Sequence, residues 1–261
     1  MILAVDIGNS NIVLGCFEKD KILMVERIST NRHSTALEYA VIIKTVLEMN
    51  GFCCEGFAGG IISSVVPSVT NMMKTAVEKL IGKAPMIVGP GLKTGLKIKL
   101  DNAVQLGSDR VADAVGAIAQ YPVPLIIIDM GTATTLSVID SQGNFIGGTI
   151  MPGLQISMES LAQRTSQLPQ ISLDPPKKVV GRNTTECMRS GIIYGNAAAL
   201  DGLIDAIEAE LNESCTLVST GGLSRLVTPY CRHKVLVDDQ LLLKGLMFLY
   251  DKNDPARKQD L

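Results

Sequence analysis

Apolar residues open the chain in two short blocks, at 1–5 and 12–17, separated by Asp6-Ile7-Gly8-Asn9-Ser10. Two apolar runs divided by a few residues that include Gly and Asn predict a β-hairpin. The arrangement returns at 125–136, where Leu125-Ile126-Ile127-Ile128 ends in Asp129 and a new run follows Gly131 and Thr132. Each hairpin is followed by a third strand candidate, at 21–28 and at 144–150. The chain therefore contains an internal duplication of a hairpin-led unit. Two like domains facing each other would aim both carboxylates and both turns into one cleft.

Between the copies the period changes. Leu37, Val41, Ile42, Val46 and Leu47 recur at helical spacing over 34–49, with Gly51 as the stop. A buried strand is expected at 59–66, a helix from Pro67 to Gly82 carrying Val69, Met72, Met73, Val77 and Leu80, and a short strand at 86–88. A loop over 101–108 leads into a helix at 111–119. In the second half, helices are expected around Ile156, Met158 and Leu161 and over 185–211, with a strand at 216–219. Residues 168–178, with three prolines, read as an extended segment. Alternating strands and helices after a hairpin predict α/β architecture with mixed sheets. Pro122 and Pro124 mark the junction, giving domains at 1–118 and 119–261, with a frayed charged tail from Asp251.

With 46% hydrophobic and 19% charged residues, the chain can bury two cores. A net charge of -2 supplies no general field for nucleic acid or an acidic membrane. No apolar run approaches the roughly 18–20 residues of a membrane span, and Met1 leads into a core-like strand. The expectation is a cytoplasmic protein with no nucleic-acid or membrane partner. The six cysteines, at 16, 53, 54, 187, 215 and 231, lack zinc or redox spacing and read mostly as small core hydrophobes. His33 and His233 read as surface residues, leaving histidine-based catalysis without support.

Candidate chemistry lies at the turns. A strand-end Asp beside a Gly-containing turn serves either as a plain tight turn or as a phosphate nest, with the carboxylate near Mg²⁺. Gly107-Ser108-Asp109-Arg110 opens a helix, with Ser108 as its expected N-cap. Asp109 there either complements the helix dipole or, with Arg110, handles a substrate. Thr184 or Thr185 is either a helix cap or a ligand contact, and Thr220-Gly221-Gly222 places small residues at another helix start.

Taken in order, Asp6-Ile7-Gly8-Asn9-Ser10, Val88-Gly89-Pro90-Gly91, Gly107-Ser108-Asp109-Arg110, Asp129-Met130-Gly131-Thr132-Ala133-Thr134, Gly148-Thr149-Ile150-Met151-Pro152-Gly153 and Gly181-Arg182-Asn183-Thr184 resemble the type III pantothenate kinases. These belong to the acetate and sugar kinase, heat-shock chaperone and actin superfamily. The resemblance implies two similar ribonuclease H-like domains, each a mixed β-sheet flanked by helices, with the active site in the interdomain cleft. It implies ATP-dependent phosphorylation of pantothenate to 4'-phosphopantothenate, the first step of coenzyme A biosynthesis. Asp109 then resembles the general base, and Leu100, Gly107, Ser108, Arg110 and Thr184 resemble substrate contacts. Asp6, Ile7, Gly8, Asn9, Ser10, Asn11, Ile12, Val13 and Thr132 resemble the ATP site, with Asp6 near Mg²⁺. Asp129 resembles the ligand of a monovalent cation, K⁺ or NH₄⁺, and the family forms homodimers. Leu100 departs from the pattern, since an aromatic Tyr is common there; Leu keeps apolar bulk but loses the hydroxyl and the ring face. An ordinary aspartate, with a pKa near 3.9, is a weak proton acceptor at neutral pH, so Asp109 is expected to orient the hydroxyl as much as deprotonate it. Two rival readings are a non-catalytic nucleotide-binding regulator and a superfamily kinase for another small hydroxyl substrate. Intact Asp6, Asp109 and Asp129 speak against the first, and the absence of a Cys-x-Cys-Gly zinc motif against a repressor-type sugar kinase.

Overall fold

The computed structural model describes residues 1–254. Along the chain run β1 (Ile2–Ile7), β2 (Asn11–Glu18), β3 (Lys21–Ser29), α1 (Ala36–Met49), β4 (Gly59–Ser64), α2 (Pro67–Ile81), β5 (Met86–Ile87), β6 (Lys97–Ile98) and α3 (Ser108–Gln120). They are followed by β7 (Leu125–Met130), β8 (Ala133–Ile139), β9 (Asn144–Pro152), α4 (Leu154–Arg164), α5 (Thr184–Leu211), β10 (Thr216–Thr220), α6 (Ser224–Val227), β11 (Leu236–Val237) and α7 (Leu241–Asn253).

Two compact units result. The first holds Met1–Leu96, Asp101–Ala119 and the helix beginning at Leu241; the second holds Lys97–Leu100 and Gln120–Gln240. The sheet of the first is ordered β3-β2-β1-β4-β5, and that of the second β11-β10-β7-β8-β9-β6. Read from the third hairpin strand inward, β9-β8-β7-β10-β11 repeats β3-β2-β1-β4-β5, so the duplication seen in the sequence is a duplication of topology. Within each hairpin the strands are antiparallel, while β4 joins β1 and β10 joins β7 in parallel. These are the two mixed sheets flanked by helices that the pattern predicts.

Local chemistry fixes the helix ends. Thr35 and Glu38 form a reciprocal capping box at the start of α1, and Pro67 occupies the first turn of α2, where its missing N–H costs nothing. The buried face of α1 is Tyr39, Ala40, Ile43 and Leu47, whereas Leu37, Val41 and Ile42 are exposed, contrary to the face the periodicity suggested. Tyr39 explains the rotation. Its ring is buried, and its hydroxyl donates to the Asn31 carbonyl at 2.6 Å, which anchors that face.

The C-terminal helix does not belong with its sequence neighbours. α7 packs in the first unit, where Tyr250 meets Phe17 edge-on with ring centroids 6.3 Å apart. Gly116 of α3 and Gly245 of α7 let these helices approach closely, since a Cβ on Gly116 would lie 2.6 Å from the Leu241 carbonyl oxygen. The expected division at 118/119 leaves out this return of the chain, and β6 crosses it in the other direction by pairing with β9. Residues 251–253 are helical rather than frayed, and the rest of the expected tail lies outside the described residues apart from Asp254. Cys16 alone among the cysteines is buried; Cys53 and Cys187 are exposed and Cys54, Cys215 and Cys231 half-buried, so the core reading fails for five of the six. Burial pushes the Cys16 thiol up to about 12.

Candidate active site

In the first unit the turn between β1 and β2 is closed by the Gly8 N–H donating to the Asn11 carbonyl at 3.0 Å. It is braced from the end of β3. The Thr30 hydroxyl donates to the Gly8 carbonyl at 2.7 Å, the Thr30 N–H to the Ser10 carbonyl at 3.0 Å, and Arg32 Nη2 to Asn9 Oδ1 at 2.9 Å. Ile7 and Ile12 are fully buried in the core, so only their backbones can serve a ligand; Asn9, Ser10 and Asn11 are exposed. Asp6 is half-buried, with Val13 opposite it on β2 and Ser63 opposite it on β4.

Ser63 continues the polar line. Its hydroxyl is 3.1 Å from that of Ser108, which also donates to the Ser64 carbonyl at 2.9 Å and accepts from the Ser64 N–H at 2.8 Å. Ser108 is therefore the first residue of α3 and not its cap; Gly107 takes the cap position by accepting the Val111 N–H at 3.1 Å. Ser108 ties the helix start to the end of β4 and so fixes Asp109 beside it. Asp109 Oδ1 accepts the Arg110 N–H at 2.7 Å. Burial pushes the Asp109 carboxyl above the usual carboxylate range, partly offset by that N–H and by the Arg110 charge. In place, its carboxylate thus holds a proton more readily than an ordinary aspartate. Gly107 lies against this carboxyl group, and Leu100 sits half-buried in the other unit.

The second unit repeats the turn with different neighbours. Gly131 N–H donates to the Ala133 carbonyl at 3.1 Å, and Thr132 is exposed at the tip. Asp129 is half-buried, opposite Thr135 on β8 and Thr220 on β10. Gly221, at φ +89°, is folded over it: a Cβ there would lie 2.6 Å from Asp129 Oδ1 and 2.7 Å from the Met130 nitrogen. The helix that follows Thr220-Gly221-Gly222 is only the short α6. Thr184 is the first residue of α5, and the cap is Asn183, whose Oδ1 accepts the Glu186 N–H at 2.9 Å. Neither Thr184 nor Thr185 is the cap.

The structure thus gathers Asp6, the first turn and residues 107–110 on one unit, and Asp129 and Thr132 on the other. Sequence reasoning missed Thr30, Arg32, Ser63 and Ser64. The polar pair Ser63-Ser64 at the end of an otherwise apolar strand was the available signal. His233 pairs at the surface with Asp205, its Nε2 2.7 Å from Asp205 Oδ1.

The family model for type III pantothenate kinases matches residues 2–206. The chain belongs to the type III pantothenate kinase family. A type III pantothenate kinase of Bacillus cytotoxicus is 41% identical over 253 residues, covering 97% of both chains. The chain is accordingly a kinase that transfers a phosphoryl group from ATP to pantothenate in coenzyme A biosynthesis, with the ATP and divalent-metal use of its family. Among solved structures, a putative Baf family transcriptional activator from Campylobacter jejuni is 20% identical with a TM-score of 0.59, covering 96% of this chain and 98% of that one. A putative 2-dehydro-3-deoxygalactonokinase from Sinorhizobium meliloti is 12% identical with a TM-score of 0.60, covering 98% and 100%. These two likenesses show the sugar-kinase-like fold of the pantothenate kinase and nothing of its substrate. No helix among the described residues is long and apolar enough to cross a membrane.

Proposed function

We propose that Asp109 receives the proton of the primary hydroxyl of pantothenate as that oxygen attacks the γ-phosphorus of ATP and the bond to ADP breaks. The observation that carries this reading is the raised proton affinity of Asp109 at a helix start pinned by Ser108 to the strand beside Asp6. A base whose pKa moves toward the working pH is a better acceptor, and pinning supplies alignment. Arg110 and Gly107 orient the acceptor, with Thr184 and Leu100 as further substrate contacts. Residues 6–13 and Thr132 hold the phosphates through turn N–H groups.

The donor set suits hard cations. Asp6 and Asp129 are half-buried carboxylates at strand ends, and among the described residues no group of three or more His, Cys, Asp or Glu converges on a metal position. A divalent ion at Asp6 therefore takes most of its ligands from phosphate and water, the usual habit of Mg²⁺. When bound, Mg²⁺ supplies charge neutralisation at the transferring phosphoryl group. Asp129, beneath the bare backbone of Gly221, holds the monovalent cation, K⁺ or NH₄⁺. The enzyme works in the cytoplasm as a homodimer.

The test is ADP release with Mg²⁺, with and without pantothenate, and with K⁺ or Na⁺ as sole monovalent cation. Pantothenate-dependent release that needs K⁺ is expected. Release indifferent to pantothenate would overturn the acceptor assignment.

A further inference from the structure

The strand register puts four residues in a row on one face of the first sheet. Asp6 of β1 stands opposite Val13 of β2 on one side and Ser63 of β4 on the other, and Val13 in turn stands opposite Arg27 of β3. Directly opposed residues on neighbouring strands share a face, so the row reads Arg27, Val13, Asp6, Ser63. That face is the one α3 and α7 cover. Ser63 bonds to Ser108 of α3, and a Cβ on Gly15, two residues along β2 from Val13, would meet Leu243 of α7. Arg27 therefore lies on the same side of the sheet as Asp6 and the start of α3.

Arg27 is exposed, and among the described residues its guanidinium makes no ion pair and no hydrogen bond. Its neighbours on this face of β3 are Val25 and Ser29, neither of them acidic. Asp6 is the one carboxylate of the row, two strand spacings or roughly 10 Å away between backbones. Only the short side chain of Val13 stands between them. The other arginine beside the turn, Arg32, is occupied, since its Nη2 donates to Asn9 Oδ1 at 2.9 Å. In the second unit Asp129 stands opposite Thr135, and Thr135 opposite Ile150, so an exposed Ile holds the place of Arg27. The cation is thus a feature of the first turn alone. A guanidinium keeps its charge at any working pH, and its planar fork matches phosphate oxygens two at a time.

We propose that Arg27 is a phosphate contact of the enzyme: its side chain crosses Val13 and pairs with the polyphosphate of ATP held at the first turn. The inference deepens the assignment of residues 6–13 to the ATP site and rests on it.

The test is the KM for ATP in the pantothenate-dependent ADP assay, at fixed K⁺ and Mg²⁺, for Arg27→Met, Arg27→Lys and, as a probe of the turn itself, Thr30→Val. Arg27→Met keeps the apolar stem and is expected to raise the KM for ATP at least about tenfold, the scale of a lost charge-assisted contact, while the KM for pantothenate stays within about twofold. Arg27→Lys restores the charge without the fork and should fall between Met and the parent. An unchanged KM for ATP in Arg27→Met would overturn the proposal and leave Arg27 as a cation that merely deters strand addition at the sheet edge. Equal losses for both substrates would overturn it too, as the mark of a general structural effect. Thr30→Val separates the two readings. If it raises the KM for ATP and Arg27→Met does not, the turn holds ATP and only the Arg27 contact fails; if neither variant does, ATP is not bound at this turn and both readings fail. A rise in Arg27→Met alone supports the contact.

Discussion

The two hairpin turns share a backbone and differ in what surrounds them. Both close with a Gly N–H donating back to the first residue of the next strand, at 3.0 Å in the first unit and 3.1 Å in the second, and both follow a half-buried Asp. Around Asp6 the neighbours are polar side chains: Ser63 opposite, then Ser108 and Asp109 on α3. Opposite Asp129 stand Thr135 and Thr220, and the backbone of Gly221 lies close over the carboxylate. Duplication supplied two equivalent turns, and they diverge in what stands nearby: α3 with Asp109 in the first unit, the close glycine backbone of residue 221 in the second. Bare backbone suits a cation or phosphate oxygens, because it offers polar groups without bulk.

The difference can be broken most severely at Asp109, the proposed base. Asp109→Asn is expected to lower turnover by about 10²–10⁴-fold, the usual worth of a general base, in a pantothenate-dependent ADP assay. Near-full turnover would refute the role. The same variant should melt at a higher temperature than the parent. A carboxyl whose folded pKa is raised contributes stability only when protonated; that contribution is complete below its unfolded pKa and is lost as pH rises through the folded value. Above that window the charged, buried Asp109 is a liability. The gain from Asn should shrink as pH falls through the window, which thermal melts at several pH values would reveal.

On the other side, Asp129→Ala should raise the K⁺ concentration for half-maximal turnover by at least about tenfold, the scale of lost ligand-sphere contacts. An unchanged K⁺ response would remove the cation from this turn. Gly221→Ala puts a Cβ against Asp129 Oδ1 at a φ of +89°, at a cost of about 1–3 kcal/mol in stability. Chemical denaturation measures this, and an unaltered midpoint would show that the loop yields. The smallest effect is expected at the brace of the first turn. Thr30→Val removes the 2.7 Å hydrogen bond to Gly8, worth about 1 kcal/mol, and should raise the KM for ATP a few-fold with kcat little changed.

Much of this was legible in the sequence because it is local. Strand-end carboxylates, Gly at the turns, Pro67 at a helix start and the repeated hairpin are set by periodicity and backbone chemistry within a few residues. Errors gathered where a distant partner decides. The α1 face was misjudged because the Tyr39 hydroxyl bonds outside the helix, at Asn31. Ser108 looked like a cap because its bonding to Ser64, 44 residues away, leaves no periodic trace. The C-terminal helix was assigned to the wrong half because Gly116 and Gly245 are ordinary helix residues until two helices cross at them.

By itself the sequence determined the duplicated α/β architecture, the positions of Asp6, Asp109 and Asp129, and the family, since each is carried by residue types at fixed spacing. Only the tertiary structure decided the raised proton affinity of Asp109, the contrast between the turns, and the placing of Arg27 in one row with Asp6. These are matters of burial and of contacts between residues remote in the chain, and local pattern holds no record of them.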